Sequence, residues 1–210
     1  MNVEATGTSR RGRGARKAAR QARDFTMLPA LKRRLPLTEV MDQEQVEKID
    51  EASMGILEDV GVVFRDEIAL EDWKKTGADV RGETVHLDRG LVRELIATIP
   101  ESFTYTARNP ANSLPFGNDH SIFVPMTGAP YLRDLDDVRR GPTLDDLANF
   151  HKLSHMLPAI HSSAHHIVEP MDHPISHRHL RITYSSMKHS DKTFMGMTTS
   201  PKNAEDVIDM

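Results

Sequence analysis

The sequence contains no cysteine, which excludes a disulfide framework, a thiolate nucleophile and any cysteine-based metal site. It has no uncharged apolar run near the roughly 20 residues that a membrane span requires. Its arginine-rich N-terminus lacks the apolar stretch of a secretory signal. These absences predict a soluble, reducing, cytoplasmic setting and no membrane partner. No Gly-x-Gly-x-x-Gly follows any predicted strand, which weakens a dinucleotide-binding reading. The zinc-binding helix pair His-x-x-Glu-His is absent as well.

What is present is a chain of 210 residues, 38% hydrophobic, with a formal net charge of -4. That length allows one large domain or two small ones. The charge is uneven. Arg10, Arg11, Arg13, Arg16, Lys17, Arg20, Arg23, Lys32, Arg33 and Arg34 face a single acid, Asp24. Residues 1–36 therefore read as a basic, disordered arm that is solvated or packs along another subunit of a homo-oligomer. Nucleic acid is a disfavoured partner, because no aromatics interleave with the basic residues as stacking on bases would need.

From Leu37 the pattern becomes regular. Asp42 with Gln45 forms a capping-box signature. Val46, Ile49, Ala52, Ile56, Leu57 and Val60 recur at helical spacing, and Gly61 supplies the stop. A second helix runs from Asp66 to Gly77. Ala78 to Leu87 reads as a hairpin turning at Arg81-Gly82, Asp88 caps a third helix, and Ser102 to Ala107 alternates as a strand. This is expected to be an α+β unit over 37–117, with Trp73 in its core.

The rest, 118–210, has a different rhythm. Strands are predicted at 122–124, 159–168 and 193–197. Helices follow from Thr143, from about Ile175 to His189, and from Ser200-Pro201. Strands alternating with helices predict parallel βαβ units. The fold class is thus α/β, either an open sheet or part of a TIM-like (β/α)8 barrel. Three such units cannot close a barrel of eight, so a longer protein of about 450–500 residues is expected.

Ten of the 11 histidines lie between His120 and His189. His161, His165 and Glu169 share strand parity and His166 has the opposite one. His173, His177 and His179 follow. Imidazoles with a carboxylate can bind zinc, so a metal-dependent barrel hydrolase is one reading. The other is a polar barrel mouth with surface histidines. A non-catalytic assembly fragment remains a third. In α/β barrels the active groups sit at the C-terminal ends of strands. That rule singles out His165, His166 and Glu169, then Thr127, Gly128 and Tyr131 after the first strand, and Met195, Gly196 and Met197 on the third.

Several stretches carry a family resemblance. VGVVFRDEIALEDWKKTG at 60–77, the region 80–110, GPTLDDLANFHKLSHMLPAIHSSAHHIVEP at 141–170 and KTFMGMTTSPKNAEDVIDM at 192–210 resemble the trimethylamine methyltransferase family. The resemblance implies a TIM-barrel-like catalytic domain. It also implies methyl transfer from a methylated amine to the Co(I) of a corrinoid carried by a separate partner protein, with no cofactor or metal held by this chain. Members for trimethylamine carry pyrrolysine, at a position that would lie beyond Met210. Relatives lacking it use quaternary amines such as glycine betaine. A quaternary substrate needs carboxylates or aromatic faces around its cation, for which Glu169, Tyr131 and Phe194 are the candidates. A substrate carboxylate needs donors, for which His165, His166 and Arg133 are the candidates.

Overall fold

A computed structural model of the chain describes residues 25–196 and 199–210. Most of the basic arm, and Met197 on the third predicted strand, lie outside the described residues. The described chain mixes helices with several small sheets, as expected for an α/β protein. It divides into two compact units, Arg33–Phe103 and Thr104–Met210, the latter together with the N-terminal segment through Lys32.

The first described element is the short strand β1 (Leu31–Lys32). In the unit Arg33–Phe103, α1 (Gln43–Gly55) starts at a complete capping box. The Gln45 amide donates to Asp42 Oδ1 at 2.9 Å, and the Asp42 amide donates to Gln45 Oε1 at 3.1 Å. The helix widens over Ile56–Val60 and stops at Gly61, whose φ of 76° is left-handed. A Cβ at Gly61 would meet the Val85 carbonyl oxygen at 2.7 Å, so only glycine fits. Next come β2 (Val62–Val63) and α2 (Glu67–Thr76), which Asp66 caps and Gly77 ends in a left-handed turn. β3 (Asp79–Arg81) and β4 (Thr84–His86) form the expected hairpin, and β2 adds to it in the order β2-β4-β3. Asp88 caps α3 (Arg89–Ala97), and Arg89 ties that helix to Glu58 at 2.8 Å and Glu51 at 2.9 Å. Trp73 packs on Phe64 with ring centroids 5.6 Å apart, and both rings stay half-buried rather than in a closed core.

β5 (Ser102–Tyr105) leads into the other unit and pairs with β6 (Leu114–Gly117). β7 (His120–Ser121) pairs antiparallel with β1, so the end of the basic arm is held in a small sheet. β8 (Leu132–Arg133) and β9 (Arg139–Arg140) form a hairpin inside the long loop. Three helices follow: α4 (Leu144–Met156), α5 (Ile175–His189) and α6 (Pro201–Asp209). A second capping box, Thr143 with Asp146, opens α4. Arg140 grips the same Asp146 at 2.6 Å, and that contact holds the Asp146 carboxyl well below the usual range.

The predicted strands at 122–124, 159–168 and 193–197 need correction. They are extended segments joined by isolated parallel bridges, Ala129 to Val168 and Ser162 to Thr193, rather than continuous ladders. The physical reason lies in the middle segment, where Ala164 takes a left-handed φ of 55° that a strand cannot propagate. The segments nonetheless lie side by side, parallel and in chain order. No closed barrel forms among the described residues. Leu147, Ala164, Ile167, Val168 and Ile182 make the apolar core between the middle segment and helices α4 and α5. Around it is an unusually polar buried layer that includes His151, His165, Thr183, Ser185, Ser186 and Lys192.

Candidate functional site

The middle segment presents its histidines in different directions. His165 is buried, and its Nε2 lies 3.1 Å from Thr183 Oγ1 on α5. Its ring stacks on Phe194, with centroids 6.1 Å apart and planes 16° from parallel. Burial, aided by neighbouring His166 and His151, pushes its pKa down from 6.5 to about 4, so His165 is neutral near pH 7. His166 meets it edge-on at 5.9 Å. Its ring reaches Gly128 on the neighbouring segment, where a Cβ would lie 3.6 Å from His166 Nε2. The Gly128 amide donates to the His166 carbonyl at 2.7 Å. The Nδ1 atoms of both His165 and His166 are buried, with no hydrogen-bond partner among the described residues.

The structure therefore brings His165, His166 and Phe194 together, with Gly128 beside them. The other expected site residues are engaged elsewhere. Glu169 accepts from Arg178 Nη1 at 2.7 Å through Oε1, and Arg178 Nη2 donates to the His173 carbonyl at 2.8 Å. Tyr131 is 54% exposed and carries the Arg139 guanidinium 4.2 Å above its ring. Arg133 pairs with Asp137 within the same hairpin at 2.9 Å.

Other histidines of this unit have separate partners. His161 Nδ1 accepts from the Phe123 amide at 2.8 Å, and His179 Nε2 meets Asp206 at 2.8 Å, linking α5 to α6. Beyond His165 and His166, these rings lie at separate contacts, so the histidine run is not gathered around one point.

Sequence reasoning missed two participants. His151 sits on α4 with its Nε2 2.7 Å from the His165 carbonyl and its Nδ1 3.0 Å from Ser185 Oγ. A carbonyl can only accept, so Nε2 carries the hydrogen and Nδ1 accepts from the serine. Burial lowers the pKa of His151. The signal was its spacing: Leu147, His151 and Ser154 share the buried face of the helix. The second is Lys192, whose buried ammonium donates to the carbonyls of Ser154 at 2.8 Å, Leu157 at 2.9 Å and Ile160 at 2.6 Å. It thereby closes the C-terminal end of α4, where a cation is favoured. Nothing in the local sequence marks that role.

The chain matches the family model described as trimethylamine methyltransferase (MTTB) over residues 9–210, and it belongs to that family. It is 41% identical over 176 residues to the glycine betaine methyltransferase of Desulfitobacterium hafniense (strain Y51), covering 84% of this chain and 37% of that protein. It is 37% identical over 109 residues to the proline betaine:corrinoid methyltransferase of Eubacterium limosum, covering 51% of this chain and 22% of that protein. The chain thus spans well under half the length of these relatives.

Proposed function

We propose that this chain is part of a methyltransferase that moves a methyl group from a methylated amine, in the first place glycine betaine or a related betaine, to the corrinoid of a partner protein. In this reading the parallel segments at 122–129, 160–169 and 193–195, with α4, α5 and α6, are the first units of a TIM-like barrel. The carrying observation is the convergence of His165, His166 and Phe194 on neighbouring parallel segments, in a chain whose named relatives act on betaines.

The chemistry suits such a group. The partner's corrinoid supplies the Co(I) nucleophile that takes the methyl group. A quaternary ammonium leaves as a neutral amine, so no general acid is needed, and the protein's task is to position and desolvate the substrate. The face of Phe194 suits the methylated cation. Glu169 adds negative charge, and its Oε2 is the oxygen not taken by Arg178. Tyr131 serves the cation once Arg139 moves from its face. The unpartnered Nδ1 atoms of His165 and His166 are natural donors for a betaine carboxylate, since a buried ring nitrogen without a partner is costly. Arg133 is the outlying donor. The setting proposed is cytoplasmic, as a homo-oligomer working with its corrinoid protein.

Calorimetric titration of the full-length enzyme with glycine betaine and, separately, with trimethylamine tests the reading. Saturable binding of glycine betaine that weakens in His166→Ala supports it. Binding of trimethylamine alone, or of neither compound, overturns it.

A further inference from the structure

The backbone around the histidines breaks the alternation of a regular strand. In a regular parallel strand every second residue bonds to the same neighbour. The Ser163 amide donates to Thr193 on one side at 2.9 Å, so Ile167 and Glu169 should face that side too. Instead the Ile167 carbonyl and the Glu169 amide bond to Ala129 on the other side, at 3.3 and 3.0 Å. The His161 amide also bonds on the Ala129 side, to Phe123 at 2.8 Å, so the stretch turned to the third segment is confined to Ser163 and Ala164, whose carbonyl accepts from Met195 at 3.2 Å. Ala164 is left-handed there, and among the described residues the His165 carbonyl bonds to His151 Nε2 at 2.7 Å rather than to a neighbouring segment. This is a bulge. Bulges re-aim side chains and gather beside active sites.

We propose that His151 is a positioning residue for substrate binding: by taking the His165 carbonyl out of the sheet it holds the bulge that aims His166 toward Gly128. The geometry explains why a histidine suits this place. Its Nε2–H reaches the carbonyl while Nδ1 is anchored by Ser185 on α5, so one rigid ring links α4, α5 and the middle segment. The Ser186 hydroxyl, 3.3 Å from the same Nε2, donates onward to the Ile182 carbonyl and completes the anchor. Without this link, an alanine at φ 55° would relax toward the ordinary strand region, which costs less. The His166 ring would then turn away from Gly128. The inference rests on the betaine reading for its effect on substrate, but not for its effect on the bulge.

Two readouts keep these apart. In the full-length enzyme with its corrinoid partner, His151→Leu is expected to raise KM for glycine betaine about ten- to a hundredfold with kcat changed less than about threefold. His151→Gln, which can still donate to the carbonyl, recovers most of the loss. Ser185→Ala, a smaller change, is expected to raise KM several-fold. A crystal structure of full-length His151→Leu, or of Ser185→Ala if the former does not fold, should show Ala164 out of the left-handed region and His166 moved from Gly128. An unchanged bulge there overturns the inference, whatever the substrate proves to be. A changed bulge with unchanged KM in both variants overturns its link to substrate binding.

Discussion

Arg178 holds Glu169 in an ion pair of 2.7 Å that leaves the two side chains 14% and 25% exposed. The pair fixes a carboxylate at the end of the middle segment, just before Pro170. The cation on α5 neutralises part of its charge, so the carboxylate can serve a substrate cation only as a shared partner. This sets two roles against each other in one residue.

Glu169→Gln in the full-length enzyme separates them. If Glu169 helps hold the methylated cation, kcat/KM falls roughly ten- to a thousandfold, about 1.4 to 4 kcal/mol. Melting changes little, because the amide oxygen still accepts from Arg178. A variant that melts several degrees lower with normal kinetics would make Glu169 a partner of Arg178 and nothing more.

The buried histidines make stability depend on pH. His165 has a folded-state pKa of about 4 against 6.5 in the unfolded chain, so the unfolded chain takes up the proton first as pH falls. Its neutral form favours the fold fully above about pH 6.5, and that contribution shrinks toward pH 4, by up to about 3 kcal/mol. His151, also pushed down by burial, acts in the same direction. Melting temperature of the full-length protein should therefore drop through this window, and His165→Asn should flatten the slope. Parallel slopes for the variant and the unaltered protein would refute the assignment.

Lys192 is expected to matter for folding. Its ammonium serves three carbonyls at the end of α4, and burial lowers its pKa against the pull of Asp191. Lys192→Met leaves those carbonyls short of a donor and should cost about 2–4 kcal/mol. Thermal or denaturant unfolding measures this, and a loss below about 0.5 kcal/mol would contradict the role.

The helices were legible because their signals are local. Asp42 with Gln45, Asp66, Asp88, Thr143 with Asp146, and Ser200-Pro201 each act within one turn, and each caps the helix expected of it. Gly61 and Gly77 end helices for an equally local reason, their positive φ. The middle strand was legible in place and direction but not in regularity. Its bulge depends on His151, 14 residues away from the carbonyl it binds, and on Ala164 adopting a conformation that alanine disfavours. The site was legible in part. Strand-end position picked out His165 and His166, and the family resemblance Phe194; the three rings lie together in the structure. Position could not reveal that Arg178 and Arg139 already hold Glu169 and Tyr131, because those pairings come from tertiary contacts.

The most direct measurement is methyl transfer itself. The full-length enzyme, with its corrinoid partner reduced to Co(I), is given glycine betaine or trimethylamine, and the demethylated amine is quantified. The account predicts dimethylglycine in step with corrinoid methylation, and little or no dimethylamine from trimethylamine. Dimethylamine as the main product, or no demethylation of glycine betaine by a folded enzyme, would contradict it.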